Sequence, residues 1–168
     1  MKKSKIPEKN PRAMEIKSPP IYRRMESCTS NSFYLESLSK YALHALANAM
    51  SLGDVKSREL CIDFFLNESR GIGDGRIRAL IARRLKHCPL TSKQICTVID
   101  CILERFLEGR FSEGFKDQLQ LVRKLNPALL IQTAQDVQKT PLRYKPYVRT
   151  YAQWILRYHV PNPEPAAE

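Results

Sequence analysis

The sequence predicts an all-α domain of about seven helices, and three observations carry that reading. Apolar residues recur at three- and four-residue spacing through most of the chain. Alternating β-branched runs and Asn-Gly turns, the marks of strands and hairpins, are absent. Breakers such as Gly53, Pro89, Gly109 and Pro141 fall between the periodic stretches rather than inside them.

The first helix is expected over about 32–51, opened by Ser30 or Ser32, with Leu35, Leu38, Ala42, Ala45, Leu46 and Ala49 on its apolar side. Gly53 stops it, and Asp54 is placed to cap a second helix over about 55–67. Gly71-Ile72-Gly73-Asp74-Gly75 then breaks the chain, and Asp74 is expected to cap a third helix over about 75–87. Pro89 ends that region. Thr91 or Ser92 opens a fourth helix over about 92–108, closed by Gly109. A fifth follows over about 112–125, with Phe115, Leu119, Leu121, Val122 and Leu125. Asn126-Pro127 joins a capping side chain to a proline suited to a first turn, so a sixth helix runs from there to about 138. Thr140-Pro141 and Lys145-Pro146 punctuate the loop before a seventh helix over about 146–159.

The second helix is polar only along a narrow strip of Lys56, Glu59, Asp63 and Asn67, and the fourth is as broadly apolar. Helices of that girth need cover from several sides. Sliding the chain by 35 residues lays Ser57-Arg58-Glu59-Leu60-Cys61 on Ser92-Lys93-Gln94-Ile95-Cys96. The preceding helices agree at Leu46/Ile81, Ala47/Ala82, Met50/Leu85 and Val55/Leu90. A helical hairpin repeated at such a period resembles, in architecture, the HEAT, armadillo and tetratricopeptide class, without the tetratricopeptide consensus residues. The resemblance implies antiparallel hairpins stacked into an α-solenoid or a compact bundle, with a surface for a partner.

The chain carries 28 Lys+Arg against 17 Asp+Glu, a net charge of +11. Residues 1–24 hold eight basic and two acidic side chains, so the other 144 residues account for only +5. With Pro7, Pro11, Pro19 and Pro20, residues 1–29 read as a flexible basic arm. Pro161, Pro163 and Pro165 mark 161–168 as a short disordered tail. The expected helical domain, 30–160, is therefore only mildly basic. No apolar run is long enough to span a membrane and no signal-peptide pattern opens the chain, so an intracellular setting, cytoplasmic or nuclear, is expected. Five cysteines (Cys28, Cys61, Cys88, Cys96, Cys101) without a CxxC pair read as free thiols, mostly buried as small apolar groups. His87-Cys88 with Cys96 and Cys101 fits no ligand spacing, so neither metal nor cofactor is implied.

Catalytic constellations are missing from the pattern. His44, His87 and His159 are scattered, and no Gly-x-Ser-x-Gly, His-Glu-x-x-His or Walker-type loop occurs. Glu104 and Glu108 share a helix face but read as surface charges beside Arg105 and Arg110. Two surfaces qualify instead for a protein partner. One is a basic flank of the third helix, Arg76, Arg83 and Lys86, suited to an acidic partner. The other is the stripe Tyr147, Tyr151, Trp154 and Tyr158 on the seventh, flanked by Arg149 and Arg157.

The segment from Gly71 to Arg84 also resembles the second half of a helix-hairpin-helix DNA-binding motif. Gly71, Ile72 and Gly73 match its Gly-hydrophobic-Gly turn, as do Ala79 and Leu80 on the following helix. The resemblance implies phosphate contacts from the turn's amides, with Gly75, Arg76, Arg83 and Arg84 behind them. Ser69 and Asp74 depart from that pattern, the latter by placing a carboxylate beside the phosphate position. The expected function is a non-catalytic, helical-repeat-like adaptor or scaffold that binds protein. The alternative is nucleic-acid binding by the glycine turn, the basic third helix and the basic arm.

Overall fold

The computed structural model describes residues 38–67 and 71–158. Among them the regular structure is entirely helical: α1 (Lys40–Ser51), α2 (Val55–Leu66), α3 (Asp74–Leu85), α4 (Ser92–Glu108), α5 (Phe115–Leu125), α6 (Pro127–Lys139) and α7 (Pro146–Arg157). The basic arm and the terminal tail lie outside the described residues, as do Ser30, Ser32 and Leu35. No helix among the described residues is long and apolar enough to cross a membrane.

Local chemistry sets most boundaries. Ser39 caps α1 by accepting from the Ala42 amide at 3.2 Å, so that helix opens at Lys40. Asp54 caps α2 at the Ser57 amide, and Asn126 caps α6 at the Leu129 amide. Thr91 and Gln94 form a reciprocal capping box at the start of α4, and left-handed Gly109 (φ 68°) ends that helix. Thr91→Ala is expected to lower unfolding free energy by about 1 kcal/mol, measured by urea denaturation. Three boundaries differ from the sequence reading. The first helix opens at Lys40 rather than near 32, because Ser39 is extended (ψ 154°) and caps it in place of Ser30 or Ser32. Asp74 does not cap α3: the cap position is Gly73 (φ 89°), and the Asp74 carboxylate accepts from the Gly71 amide at 2.8 Å. The fifth helix opens at Phe115, not near 112, because left-handed Gly114 (φ 74°) cannot continue a right-handed turn.

Packing follows the apolar girth of α2 and α4. α2 touches α1, α3 and α4, and α4 touches α2, α5, α6 and α7, which makes α4 the centre of the core. Its Val98, Ile99, Ile102, Leu103 and Phe106 are all buried. α1, α3 and α5 form a row in which the α3–α5 contact is as extensive as that between α6 and α7, and no other pair of helices meets as broadly. Consecutive α3 and α4 do not pack on each other; both rest on α2 and α5.

The 35-residue correspondence holds for α1 and α3, where Ala47/Ala82 and Met50/Leu85 are equivalent buried pairs. It fails for α2 and α4: Cys61 is buried and its counterpart Cys96 is exposed. The N-caps Asp54 and Thr91 are 37 residues apart, and at that offset buried Cys61, Ile62 and Phe65 meet buried Val98, Ile99 and Ile102. The link from α3 to α4 is longer than that from α1 to α2, and the extra residues turn the helix face by more than half a revolution.

Candidate interaction surface

The exposed side of α5 lies between the basic flank of α3 and the aromatic stripe of α7. On the α3 side, Arg76 Nε donates to Glu113 Oε1 and Arg83 Nη1 to Asp117 Oδ2, each at 2.7 Å. The flank is therefore interleaved with carboxylates rather than bare. Both pairs are solvent-exposed and contribute little stability. Lys86 ends the flank. Partial burial holds its ammonium below the ordinary lysine range, Asp117 opposes that and Arg83 adds to it.

On the α7 side, the stripe is both anchor and surface. Tyr151 packs on Phe111 and Phe115 with ring centres 4.5 and 6.1 Å away. Tyr147 meets Phe111 edge-on at 5.3 Å, and its hydroxyl donates to the Gly109 carbonyl. These contacts dock the helix. Further along, Trp154 is half-buried and Tyr158 is 58% exposed, their rings 5.1 Å apart. Lys116 Nζ stands 5.5 Å from the Trp154 ring centre, within cation–π range. A crevice of only about 10 Å³ lies there, between Arg123, Leu130, Trp154 and Tyr158, room for about one water. The crevice therefore leaves no room for a small molecule.

Asp117 and Lys116 are neighbours on α5. One pairs with Arg83 of α3 and the other with Trp154 of α7, so α5 joins the two sequence-predicted surfaces into one face. Glu113, Lys116, Asp117 and Arg123 are members that sequence reasoning missed. The pairs across α3 and α5 span 37 and 34 residues, and no local pattern foretells them.

The residues of the nucleic-acid reading are dispersed. Ile72 is 89% exposed at the turn, and the Gly71 amide is taken by Asp74. Gly75 instead lets α3 approach the chain before α5: a Cβ there would stand 2.9 Å from the Glu113 nitrogen. Arg76 reaches Glu113 just before α5 and Arg83 reaches Asp117 on it, while Arg83 and Arg84 also line a groove with Ser51 of α1. Among the cysteines, Cys61 is buried, Cys88 and Cys101 are half-buried, and Cys96 departs from expectation by being exposed.

Fold and surface together define an all-α domain with a mixed basic and aromatic face. Comparison with family models, curated proteins and solved structures finds no match.

Proposed function

We propose that the chain is a non-catalytic adaptor or scaffold module whose α5 face docks an acidic protein partner with apolar anchor residues. The observation that supports this reading is the half-open Trp154–Tyr158 pair set between Lys116 and Arg123. Trp, Tyr and Arg are the residues that dominate interface energetics, and a partly desolvated aromatic rimmed by cations suits an acidic, apolar epitope. Asp117 on this helix and Glu113 just before it already have arginine partners, which leaves Lys116, Arg123 and Lys124 as the surplus charge of α5.

The full chain is used to capture partners from a nuclease-treated extract, and the captured partner is then titrated against variants. Lys116→Glu with Arg123→Glu reverses two charges without touching the core. It is expected to weaken partner binding at least tenfold, or about 1.4 kcal/mol, and to change its salt dependence. Tyr158→Ala should produce a comparable loss. Unchanged binding in both variants would overturn the assignment of this face. Capture that disappears with nuclease would transfer the function to nucleic acid.

A further inference from the structure

A second feature lies across α3 from the α5 face and shares only Arg83 with it. The last turn of α1 and the outer side of α3 enclose a groove of about 270 Å³, lined by Ser51, Leu80, Arg83, Arg84, His87 and Cys88. Leu80 and Cys88 supply its apolar lining, and among the described residues no carboxylate lines the groove. Arg83 uses one nitrogen on Asp117 across the ridge of α3. Arg84 has no comparable acid: its Nη1 is enclosed and finds no hydrogen-bond partner among the described residues. A guanidinium nitrogen shut away from water without an acceptor costs free energy, and turning the Arg84 side chain outward onto an oxyanion in the groove would remove that cost.

Nearby groups do not supply the missing negative charge. Burial pushes the Cys61 thiol up to about 12 despite the pull of Arg84, so it stays protonated at neutral pH. Burial likewise raises Cys88, against the pull of Arg58. Arg58 is a second half-buried guanidinium here, and its Nε also finds no partner among the described residues. The carbonyl oxygens at the floor are occupied as well, since the Cys88 thiol donates to the Arg84 and Met50 carbonyls.

We infer that the α1–α3 groove binds the phosphoryl group of a small phosphate ester, gripped by Arg84 with Arg83 and His87, its apolar part lying on Leu80. Three basic side chains line the groove, with more donors than the two oxygens of one carboxylate use well, and a phosphoryl group presents three oxygens. The volume falls just below the range of drug-sized sites, which suits a phosphate with a small substituent.

The test is amide-detected NMR of the full chain titrated with inorganic phosphate, phenyl phosphate and acetate at constant ionic strength. Saturable shifts are expected at Ser51 and from Leu80 to Cys88, with phenyl phosphate tighter than phosphate and acetate weaker than either. Arg84→Gln should weaken phosphate at least tenfold, while Arg123→Gln on the α5 face should leave it unchanged. Arg84→Lys, which keeps the charge at the end of α3, should lose severalfold because the planar fork is gone. A guanidinium that merely offsets the α3 carbonyls would bind no anion. Shifts that grow linearly without saturation, or saturable shifts unaltered by Arg84→Gln, would overturn the site.

Discussion

Arg105→Ala is expected to lower the unfolding free energy by about 3–5 kcal/mol, a large fraction of what a domain of this size possesses. Arg105 belongs to the central helix α4 and is only 6% exposed. Its Nη2 donates to the carbonyls of Phe65, Leu66 and Asn67 at 2.7, 3.2 and 3.3 Å. Its Nη1 donates to Gln118 Oε1 at 3.3 Å, and the guanidinium lies 5.5 Å from the centre of the Phe65 ring. The last carbonyls of a helix have no intrahelical donor, and they carry the negative end of its dipole. One planar fork therefore satisfies the end of α2 from inside the core. Arg78 assists through Nη2 to the Asn67 carbonyl at 3.1 Å, with its own guanidinium over Phe64. Burial holds the Arg78 guanidinium below its ordinary range, and neighbouring Arg105 adds to that. Alanine removes the donor and leaves buried acceptors behind, which costs more than the bonds themselves contributed. Arg105→Lys keeps the charge but cannot reach three carbonyls and an amide at once, so it should recover less than half of the loss. Urea denaturation with an unchanged m-value measures both variants. A loss below about 1 kcal/mol for alanine would mean that other groups hold the end of α2.

That arginine also marks where sequence reading stopped. Caps and breakers were legible because they act within four residues: Asp54, Thr91, Asn126 and Gly109 perform the roles their types suggest. The girth of α4 was legible too, and it sits at the centre of the core. Arg105, by contrast, reads as a surface cation grouped with Glu104, Glu108 and Arg110. The structure divides that group: Arg110 takes both glutamates, at 3.4 and 2.5 Å, and Arg105 turns inward. A signal was present. Arg105 stands seven residues after Val98 and three after Ile102, so it shares their buried stripe, and Arg78 stands likewise three before Ile81. A cation on an apolar stripe calls for buried acceptors, but which acceptors depends on packing between elements about 40 residues apart. The same limit applies to the α5 face. Its two flanks follow from helical periodicity on α3 and α7, and their joining depends on where α5 settles.

What sets α5 against α3 is a contact between small residues, and Gly114→Val is expected to destabilise the fold by about 2–5 kcal/mol through it. Gly114 holds φ at 74°, a region that costs a side-chain-bearing residue about 1–2 kcal/mol. A Cβ on Gly114 would also stand 2.5 Å from the Ala79 Cβ, on a buried segment of α3. Overpacking of that kind adds about 1–3 kcal/mol, because two packed helices must separate to relieve it. The two causes can be told apart. In a cycle of Gly114→Ala with Ala79→Gly, measured by urea denaturation, the double variant should be at least about 1 kcal/mol more stable than the sum of the single losses predicts. The backbone cost would persist while the Cβ clash vanished. Strict additivity would show that the seam relaxes freely and that φ alone makes Gly114 necessary. The consequence reaches the surface, since Glu113 and Asp117 flank Gly114 on either side and pair with Arg76 and Arg83. A seam forced apart at Gly114 separates those carboxylates from their arginines. Folded Gly114→Ala should therefore bind the α5-face partner more weakly than the wild type, and Ala79→Gly should restore part of that affinity.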